Sequence, residues 1–359
     1  MLVGILTDKY GRKSEELNRY KSILDYNNID SMFLDVSQPD FFNRVAKTDL
    51  FIFRWHHNDD HRQLAGTILP IIEKEMGVRC FPDSNTCWHY DDKIKQYYLL
   101  KHYGFPFIDC WVFWDKREAL KWVETASLPV VFKLKGGAGS RNVILISTKQ
   151  QARRIIKKMF GSGVMYDSIP GWDNTRFKDF SVYKSIHHIA GNILRKSRGE
   201  DASPYWLKHK NYSLFQKYIP NNNYDTRIVV IGDRAYGEKR LNRENDFRAS
   251  GGGKLIFDPS HIDTKFVKLA FEISDKLKFQ SMAYDFLYDE EGNPALCEIS
   301  YTFPFDLFYF NCPGQWDKNI KWQEGRISPQ YLQLVKALGL NSLKHPPFER
   351  NGEMVSNGQ

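Results

Sequence analysis

Strand and helix signals alternate along the first ninety residues, and this alternation constrains the fold more than any other feature of the chain. The apolar runs LVGILT, SMFLDV, DLFIFRW and VRCF are typical of short strands, and the segments between them carry helical patterns. Ser14 is placed to cap the first of these helices, which we expect to continue to about Tyr26. Such alternation predicts a small parallel sheet covered by helices, as in an α/β domain.

The chain after residue 90 mixes single helices with hairpins. An acidic pair is placed to begin a helix in DDKIKQYYLLKHYG, and LPVVFKLKGGAGSRNVILIS predicts a strand, a glycine loop and a second strand. The segment DTRIVVIGDRAYGEKR predicts a hairpin that turns at Gly232 and Asp233. Residues 161–213 carry the weakest signals, with one helix expected near 180–196.

Charge and composition limit the classes of partner. The net charge of +8 favours anionic partners such as nucleotides and carboxylate substrates. We find no nucleic-acid-binding motif and therefore expect no nucleic-acid partner. No apolar run reaches the ~20 residues that a membrane span needs. The five cysteines form no CxxC pair, which is typical of reduced thiols, so we expect a cytoplasmic protein.

Two acidic residues on a late hairpin form the first candidate site. The segment AYDFLYDEEGNPALCEIS predicts two strands joined by a turn at 290–293. Counting outward from that turn pairs Asp285 with Glu298, and alternation puts Ser300 on the same face. Two close carboxylates need a cation, and one or two Mg²⁺ ions that also hold phosphates would fit. An exposed edge hairpin with incidental acids is the alternative, and Cys297 is expected on the opposite, core face.

A glycine loop forms the second candidate site. In VVFKLKGGAGSRNV, Lys133 lies on a strand that leads into the loop residues Gly136, Gly137, Gly139 and Ser140. Glycines let backbone N–H groups approach phosphate oxygens, and a lysine supplies a point charge. The loop matches neither GxxxxGK[ST] nor GxGxxG, and a flexible hairpin tip is equally compatible with it.

In this order, the motifs resemble the ATP-grasp superfamily, and they are most similar to its branch of glutathione synthetases and ribosomal-protein glutamate ligases. The resemblance covers roughly residues 1–310 and is carried by DDKIKQYYLLKHYGFP, PVVFKLKGGAGSRNV, LFQKYIP, DTRIVVIGDRAYGEKR with NDFRASGGG, and AYDFLYD with PALCEIS. It implies an α/β (α+β) fold that clasps a nucleotide between two subdomains. The implied parts are a Rossmann-like parallel-sheet domain at 1–90 and α+β subdomains at 91–212 and 213–345. The polar composition of residues 346–359 separately predicts a disordered tail.

The resemblance also implies roles for individual residues. The implied ATP-binding residues are Lys93, Lys133, Gly136, Gly137, Gly139, Ser140, Gln216, Lys217, Ile219 and Asn223. The implied catalytic residues, which meet the transferred phosphate and the acyl substrate, are Arg227, Arg240 and Arg248. The implied metal ligands are Asp285, Glu298 and Ser300, with Mn²⁺ able to substitute for Mg²⁺. The family usually has asparagine at the position of Ser300 and proline at that of Leu134.

The activity implied by the resemblance is a Mg-ATP-dependent carboxylate–amine or carboxylate–thiol ligase that acts through an acyl phosphate. Its partners would be ATP, a small anionic carboxylate, and an amine or thiol acceptor, and we leave a homodimer open. A kinase of the same fold that phosphorylates a hydroxyl of a small anionic substrate is one alternative. A nucleotide-binding module without catalysis is another.

Two further segments have a bland and a functional interpretation. The histidines and acids of RWHHNDDH could bind zinc, but a solvated loop and helix start is the simpler interpretation. By position, Arg54 or His56 is the better candidate for contact with substrate. The aromatic segment 301–317 is expected in the core or at a subunit interface, and we expect specificity to reside there and in 161–213.

Overall fold

The computed structural model describes residues 1–8, 11, 13–137, 143–165, 197, 207–244, 246–249 and 254–348. The strands are β1 Leu2–Leu6, β2 Asp30–Leu34, β3 Leu50–Ile52, β4 Arg79–Phe81, β5 Cys110–Phe113, β6 Val130–Lys133, β7 Ile144–Ile146, β8 Val164–Met165, β9 Lys208–His209, β10 Ser213–Lys217, β11 Tyr224–Ile231, β12 Arg234–Leu241, β13 Leu255–Ile256, β14 Ser281–Tyr288, β15 Pro294–Ser300, β16 Gly314–Asp317 and β17 Trp322–Glu324. The α-helices are α1 Glu15–Tyr26, α2 Phe41–Val45, α3 Asp59–Pro70, α4 Ser84–Cys87, α5 Lys93–His102, α6 Lys116–Thr125, α7 Lys149–Met159, α8 Thr264–Leu277, α9 Phe305–Asn311 and α10 Pro329–Leu338.

The N-terminal sheet is parallel, as its strand–helix alternation predicts. Its strand order is β2-β1-β3-β4, and each described pairing is parallel. Helix α1 begins where expected, because the Ser14 side chain accepts a hydrogen bond from the Leu17 N–H. Its buried face includes Leu17, Tyr20 and Ile23, which pack in one cluster with the sheet residues Val3 and Ile5.

The central sheet is antiparallel, in the order β5-β10-β6-β7, and helices α6 and α7 cover one face of it. Helix α7 presents Ala152, Ile155 and Ile156 to the sheet and starts with a capping box between Thr148 and Gln151. Strand β10 lies between β5 and β6, so the central sheet extends to the end of that strand. The boundary predicted at 212/213 therefore falls before the last strand of this sheet.

The largest sheet has the order β15-β14-β11-β12-β16-β17, with β13 added beside β12. The predicted hairpin turn at Gly232 and Asp233 is found there, joining β11 to β12. Helix α8 packs on the sheet through a stripe of apolar residues, among which Phe266 stacks on Phe286 of β14. This sheet carries the acidic hairpin on its edge.

The acidic hairpin has the predicted pairing for a different reason. The turn is one residue longer than expected, so Tyr288 pairs with Pro294, and a β-bulge then adds one residue, Cys297, before the pairing of Asp285 with Glu298. The longer turn and the bulge shift the register by one residue in opposite directions, so the predicted pairing of Asp285 with Glu298 is kept. The bulge also makes the predicted face of Cys297 wrong, because this residue lines the same cavity as Glu298, where it packs in a small apolar cluster.

Several predictions concern residues outside the described ranges. The helix expected near 180–196 is among them, as are most of the weakly patterned segment, the loop residues Gly139 and Ser140, and the end of the chain. The disordered tail was predicted to begin at residue 346, which is too early, because Phe348 is buried and its N–H donates to the Tyr309 hydroxyl at 3.1 Å. Within the described ranges, no helix is both long and apolar enough to cross a bilayer.

The aromatic segment at 301–317 lies in the core, in line with one of its two expected locations. Phe303, Phe305, Phe308 and Tyr309 are buried in the cluster that joins the N-terminal sheet to the large sheet. The segment therefore holds two domains together beside the cavity described next.

Candidate active site

A cavity of about 500 Å³ lies where the N-terminal, central and large sheets meet. Twelve of the predicted site residues line it: Lys93, Lys133, Gly137, Gln216, Lys217, Ile219, Arg227, Arg240, Arg248, Asp285, Glu298 and Ser300. Asn223 does not line the cavity, whereas its neighbour Asn222 does. Gly136 lies behind the wall. Residues that are separated by up to 207 positions in sequence, from Lys93 to Ser300, are thus brought to one site.

One end of the cavity is apolar. Its wall includes Ile108 from the central domain, Ile219 after β10, and Leu287 and Cys297 from the acidic hairpin, and these four belong to one small apolar cluster. Strand β10 ends at this wall, and Tyr218 and Ile219, which follow it, also line the cavity. An apolar slot with backbone groups at its edge suits a nucleobase.

Lys133 and Gln216 meet at the boundary between the apolar and charged ends. They lie on neighbouring strands of the central sheet, and the Lys133 Nζ donates to the Gln216 Oε1 at 2.5 Å. The Cys297 Sγ lies 3.5 Å from the same ammonium group. Burial raises the pKa of the Cys297 thiol despite the nearby lysine, so this thiol is held neutral and is a poor nucleophile.

Lys93 connects the glycine loop to the acidic hairpin. It is the first residue of α5, where its Nζ lies 2.9 Å from the Gly137 carbonyl oxygen and 3.0 Å from the Glu298 carboxylate. Burial lowers the pKa of Lys93, but the charges of Glu298 and Asp91 outweigh it and raise the pKa above its ordinary value. The lysine is therefore a fixed positive charge beside the hairpin.

Asp285 is held by two arginines across three neighbouring strands. Arg227 donates to both of its oxygens, at 2.7 and 2.9 Å, and Arg240 donates to one of them at 2.7 Å. Burial raises the pKa of Asp285, but Arg227 and Arg240 outweigh it and hold the pKa well below its usual range. The carboxylate is ionised at neutral pH and is fixed in orientation.

Two acids that sequence reasoning missed complete this charged cluster. Asp225 accepts two hydrogen bonds from Arg240, at 2.6 and 2.7 Å, and the buried Glu238 lies 3.8 Å from Arg227. Burial raises the pKa of Glu238. The predicted turn at residues 232 and 233 was a sufficient signal, because counting outward from it pairs 227 with 238 and 225 with 240, as observed.

The oxygen-bearing side chains of the acidic hairpin would fit a magnesium ion only together with further oxygen atoms, such as those of phosphates. Asp285, Glu298 and Ser300 line one cavity, although the Ser300 hydroxyl donates to the Thr302 carbonyl oxygen at 2.7 Å. Among the described residues, no three acids, histidines or cysteines form a cluster that could hold a metal alone. Magnesium is commonly bound by one or two carboxylates together with phosphates, and the residues present match that pattern.

The N-terminal domain supplies the other end of the cavity. Arg54 and His56 line it as expected, together with Glu16 and His57, which sequence reasoning did not assign. The Arg54 side chain forms an ion pair with Glu16, donates to the Phe303 carbonyl oxygen at 3.2 Å and lies over an aromatic ring. Burial and the charge of Arg54 lower the pKa of His56 to about 4, so His56 is neutral.

Comparison with known proteins agrees with this geometry. The sequence model of the family described as "RimK-like ATP-grasp domain" matches residues 182–304, which include the charged cluster and the acidic hairpin. Residues 182–304, about a third of the chain, are therefore similar in sequence to an ATP-grasp domain. The match and the fold confirm both the resemblance drawn from the sequence motifs and the predicted mixture of a parallel N-terminal sheet with antiparallel sheets.

Individual relatives of the chain are distant. The α-aminoadipate–LysW ligase LysX of Saccharolobus solfataricus is 23% identical over 256 residues, which are 70% of this chain and 74% of that protein. The ATP-grasp ligase PsnB, solved with a precursor peptide and AMPPNP, has a TM-score of 0.53 at 11% identity and covers 94% of this chain and 98% of its own. The biotin carboxylase domain of the 2-oxoglutarate carboxylase of Hydrogenobacter thermophilus, a dimer solved with MgADP, has a TM-score of 0.53 at 13% identity and covers 98% of this chain and 72% of its own. At these identities the structures show the fold, and the names of the relatives agree with the predicted ATP-grasp ligase.

Proposed function

We propose that this protein is a Mg-ATP-dependent ATP-grasp ligase that joins a small anionic carboxylate to an amine, or to a thiol, through an acyl phosphate. One observation carries the proposal. A single cavity is lined by an apolar slot, three lysines, four arginines and the two hairpin acids Asp285 and Glu298. Such a sequence of surfaces suits a base, a triphosphate with its cation, and an acyl group in that order.

The nucleotide would lie along the central sheet. The adenine fits the apolar slot beside Ile108 and Ile219, with Gln216 and the backbone after β10 at its polar edge. Lys93 and Lys133 are buried cations at the charged side of the slot and would neutralise the phosphates. Asn222 lines the cavity close to Ile219, and we assign it the ribose contact in preference to Asn223.

The hairpin acids would hold the cation. Asp285, Glu298 and Ser300 supply hard oxygen atoms for one or two Mg²⁺ ions, or for Mn²⁺, which screen the charge of the phosphates when bound. Arg227 and Arg240 keep Asp285 ionised, and Lys93 lies against Glu298, so both acids are ready to exchange a protein cation for a metal.

The protein would catalyse the reaction only by positioning the reactants and by neutralising the charge of the phosphates. A carboxylate oxygen of the acyl substrate forms a bond to the γ-phosphorus, and the bond between that phosphorus and the β–γ bridging oxygen breaks to release ADP. The amine or thiol then attacks the acyl carbon and loses its proton, while inorganic phosphate leaves with the bonding electron pair. Lys133, Arg240 and Arg248 line the cavity where the transferred charge would develop. No protein side chain becomes covalently attached.

The acyl substrate would approach from the N-terminal domain. Arg54 is a buried cation at that end of the cavity and is fixed by the Phe303 carbonyl oxygen and an aromatic ring. Beside it, His56 is neutral and adds no charge to this end of the cavity. A carboxylate held there would lie between the N-terminal domain and the phosphate-binding wall.

A hydroxylamine trapping experiment tests the proposal. Protein, ATP and MgCl₂ are incubated with a panel of mono- and dicarboxylic acids, and hydroxamate and ADP are both measured. We expect equal amounts of the two products with at least one acid. Phosphorylated product without hydroxamate would instead indicate a kinase, and AMPPNP binding without turnover would indicate a binding module.

A matched pair of variants localises the activity. Lys133→Met removes a cation from the cavity wall. Lys135→Met removes a cation two positions later in the chain, and that lysine does not line the cavity. We expect hydroxamate formation to fall at least about 100-fold in the first variant and to stay near the wild-type rate in the second. Equal losses in both variants would argue against the assigned phosphate site.

A further inference from the structure

Asp91 has a strained backbone and a buried side chain, and neither feature is explained by the ligand contacts assigned above. Its φ is 51°, in the left-handed region that non-glycine residues rarely adopt and that Asp and Asn tolerate best. The residue is 4% exposed and lies immediately before Asp92, which caps α5. A strained, buried acid next to a binding site persists only where the surrounding structure holds it.

The carboxylate of Asp91 connects the N-terminal domain to the glycine loop. Its Oδ1 accepts a 2.6 Å hydrogen bond from the Gly137 N–H, and the His57 Nδ1 lies 3.2 Å from the same oxygen. Its Oδ2 accepts from the Arg62 Nη1 at 2.9 Å. Burial raises the pKa of Asp91, but His57, Lys93 and Arg62 outweigh it and lower the pKa below its ordinary value.

Lys93, two positions after Asp91, holds the glycine loop from its other side. The Lys93 Nζ donates to the Gly137 carbonyl oxygen at 2.9 Å, and the Lys93 N–H donates to the Lys135 carbonyl oxygen at 2.7 Å. Asp91 and Lys93 therefore hold the N–H and the carbonyl of one loop residue. Lys93 also contacts Glu298, so the same chain of contacts reaches the hairpin acids.

The glycine at position 136 has a packing reason within this arrangement. A Cβ atom there would lie 2.6 Å from the Arg62 Nη1 and 3.1 Å from the Asp91 Oδ2. The backbone of Gly136 thus approaches the ion pair closely. Helix α3, which carries Arg62, and the start of the glycine loop are packed through Asp91 with no room for a side chain.

We propose that Asp91 is a positioning residue that sets the base of the glycine loop, and that Arg62 makes this position depend on the N-terminal domain. The inference rests on the proposed function for its choice of ligand, the nucleotide phosphates. Asp91 itself does not line the cavity and acts through Gly137, which does. A loop base that is held from both sides fixes where the chain leaves β6 beside the phosphates, so that binding requires less ordering of this part of the chain.

Nucleotide binding tests the role of Asp91. Asp91→Asn keeps the shape and tolerates the left-handed backbone but loses the charge that holds Arg62 and His57. We expect the Kd of the Mg²⁺ complex of AMPPNP, measured by calorimetry, to rise roughly 10-fold or more, since a hydrogen bond to a charged group is being weakened. The Kd of adenosine, which lacks phosphates, should not change.

The adjacent residue provides the control. Asp92→Asn removes a charge at the next position, and asparagine caps a helix as well as aspartate does. This variant should bind AMPPNP and adenosine as the wild type does. Loss of adenosine binding in Asp91→Asn, or equal losses in the two variants, would overturn the proposal, because a general structural defect gives that result.

The link to the N-terminal domain needs a second variant. Arg62→Gln should weaken AMPPNP binding in the same direction, and the double variant with Asp91→Asn should lose no more than the single Asp91 variant. Additive losses would show that Arg62 does not act through Asp91. A wild-type protein that binds no AMPPNP would refute the proposed function itself, a result that is distinct from a bound nucleotide with no effect of Asp91.

Discussion

The two charged parts of the cavity, one on the large sheet and one on the N-terminal domain, are built in different ways. At the large sheet, Arg227, Arg240 and Asp285 meet because neighbouring strands place opposed residues about 5 Å apart on one face. At the N-terminal domain, Glu16 comes from a helix and Arg54 from the loop after β3, so their meeting depends on how separate elements pack. When a site is built across paired strands, the position of the hairpin turn predicts which residues are opposed. When a site is built between separate elements, no such count along the sequence is possible.

The largest expected effect is at the charged cluster of the large sheet, formed by Arg227, Arg240 and Asp285, which we call the sheet-built end. Asp285→Asn keeps the shape but removes the charge that would bind the cation, so we expect turnover with MgATP to fall by about 1000-fold. Glu291→Gln, an exposed acid in the turn of the same hairpin, is the matched control and should retain full activity. Circular dichroism checks that both variants fold. Near-normal ATP turnover in Asp285→Asn would show that the hairpin does not hold the metal.

Stability provides the second test of the sheet-built end. Arg240→Met leaves Asp225 and Asp285 buried with fewer partners, and breaking a buried ion pair from one side costs about 3 to 5 kcal/mol. We expect the free energy of unfolding in urea to fall by about that amount. Arg234→Met, on the same strand with a more exposed side chain, should change it little. Similar values for the two variants would mean that the cluster is hydrated.

The acidic hairpin shows how far sequence reasoning reached. The pairing of Asp285 with Glu298 was predicted, but the turn was one residue too short and the bulge at Cys297 was missing, so two errors cancelled. Bulges depend on local twist and on neighbouring strands, which a single sequence does not display. Asp225 and Glu238 could have been predicted from the hairpin turn already identified.

The contacts between separate elements, at Glu16 and at Asp91, were harder to predict from sequence for a physical reason. Glu16 lies on an amphipathic helix where an exposed acid is unremarkable, and its contact with Arg54 joins α1 to the loop after β3, which are distant in sequence. Asp91 was read as one of two candidate helix caps. Asp92 is the cap, and the left-handed backbone of Asp91 follows from contacts with Arg62 and Gly137 that are distant in sequence.

Arg54 tests whether the end of the cavity at the N-terminal domain binds substrate. Arg54→Gln should raise the KM of the carboxylate found by hydroxamate trapping about 10- to 100-fold, because a hydrogen bond to a charged group is worth about 1.5 to 3 kcal/mol. The Kd of AMPPNP should not change, since the nucleotide would lie at the other end. Arg79→Gln, an exposed arginine of the same domain, is the control. An equal effect on nucleotide and carboxylate would place Arg54 in the fold and not in substrate recognition.

The smallest effect is expected at His89, in the loop-built connection between α4 and α5. His89 is buried, neither ring nitrogen has a hydrogen-bond partner among the described residues, and burial lowers its pKa to about 3. Between about pH 6.5 and 3 the unfolded chain binds a proton that the folded chain does not, so this residue makes stability fall as pH falls through that window. His89→Phe, which keeps the ring beside Phe279, should flatten the fall in urea-unfolding free energy between pH 6.5 and 4.5 by about 1 to 2 kcal/mol. His102→Phe, on the exposed end of α5, should leave the slope unchanged, and an unchanged slope in both variants would mean that His89 is protonated in the folded protein.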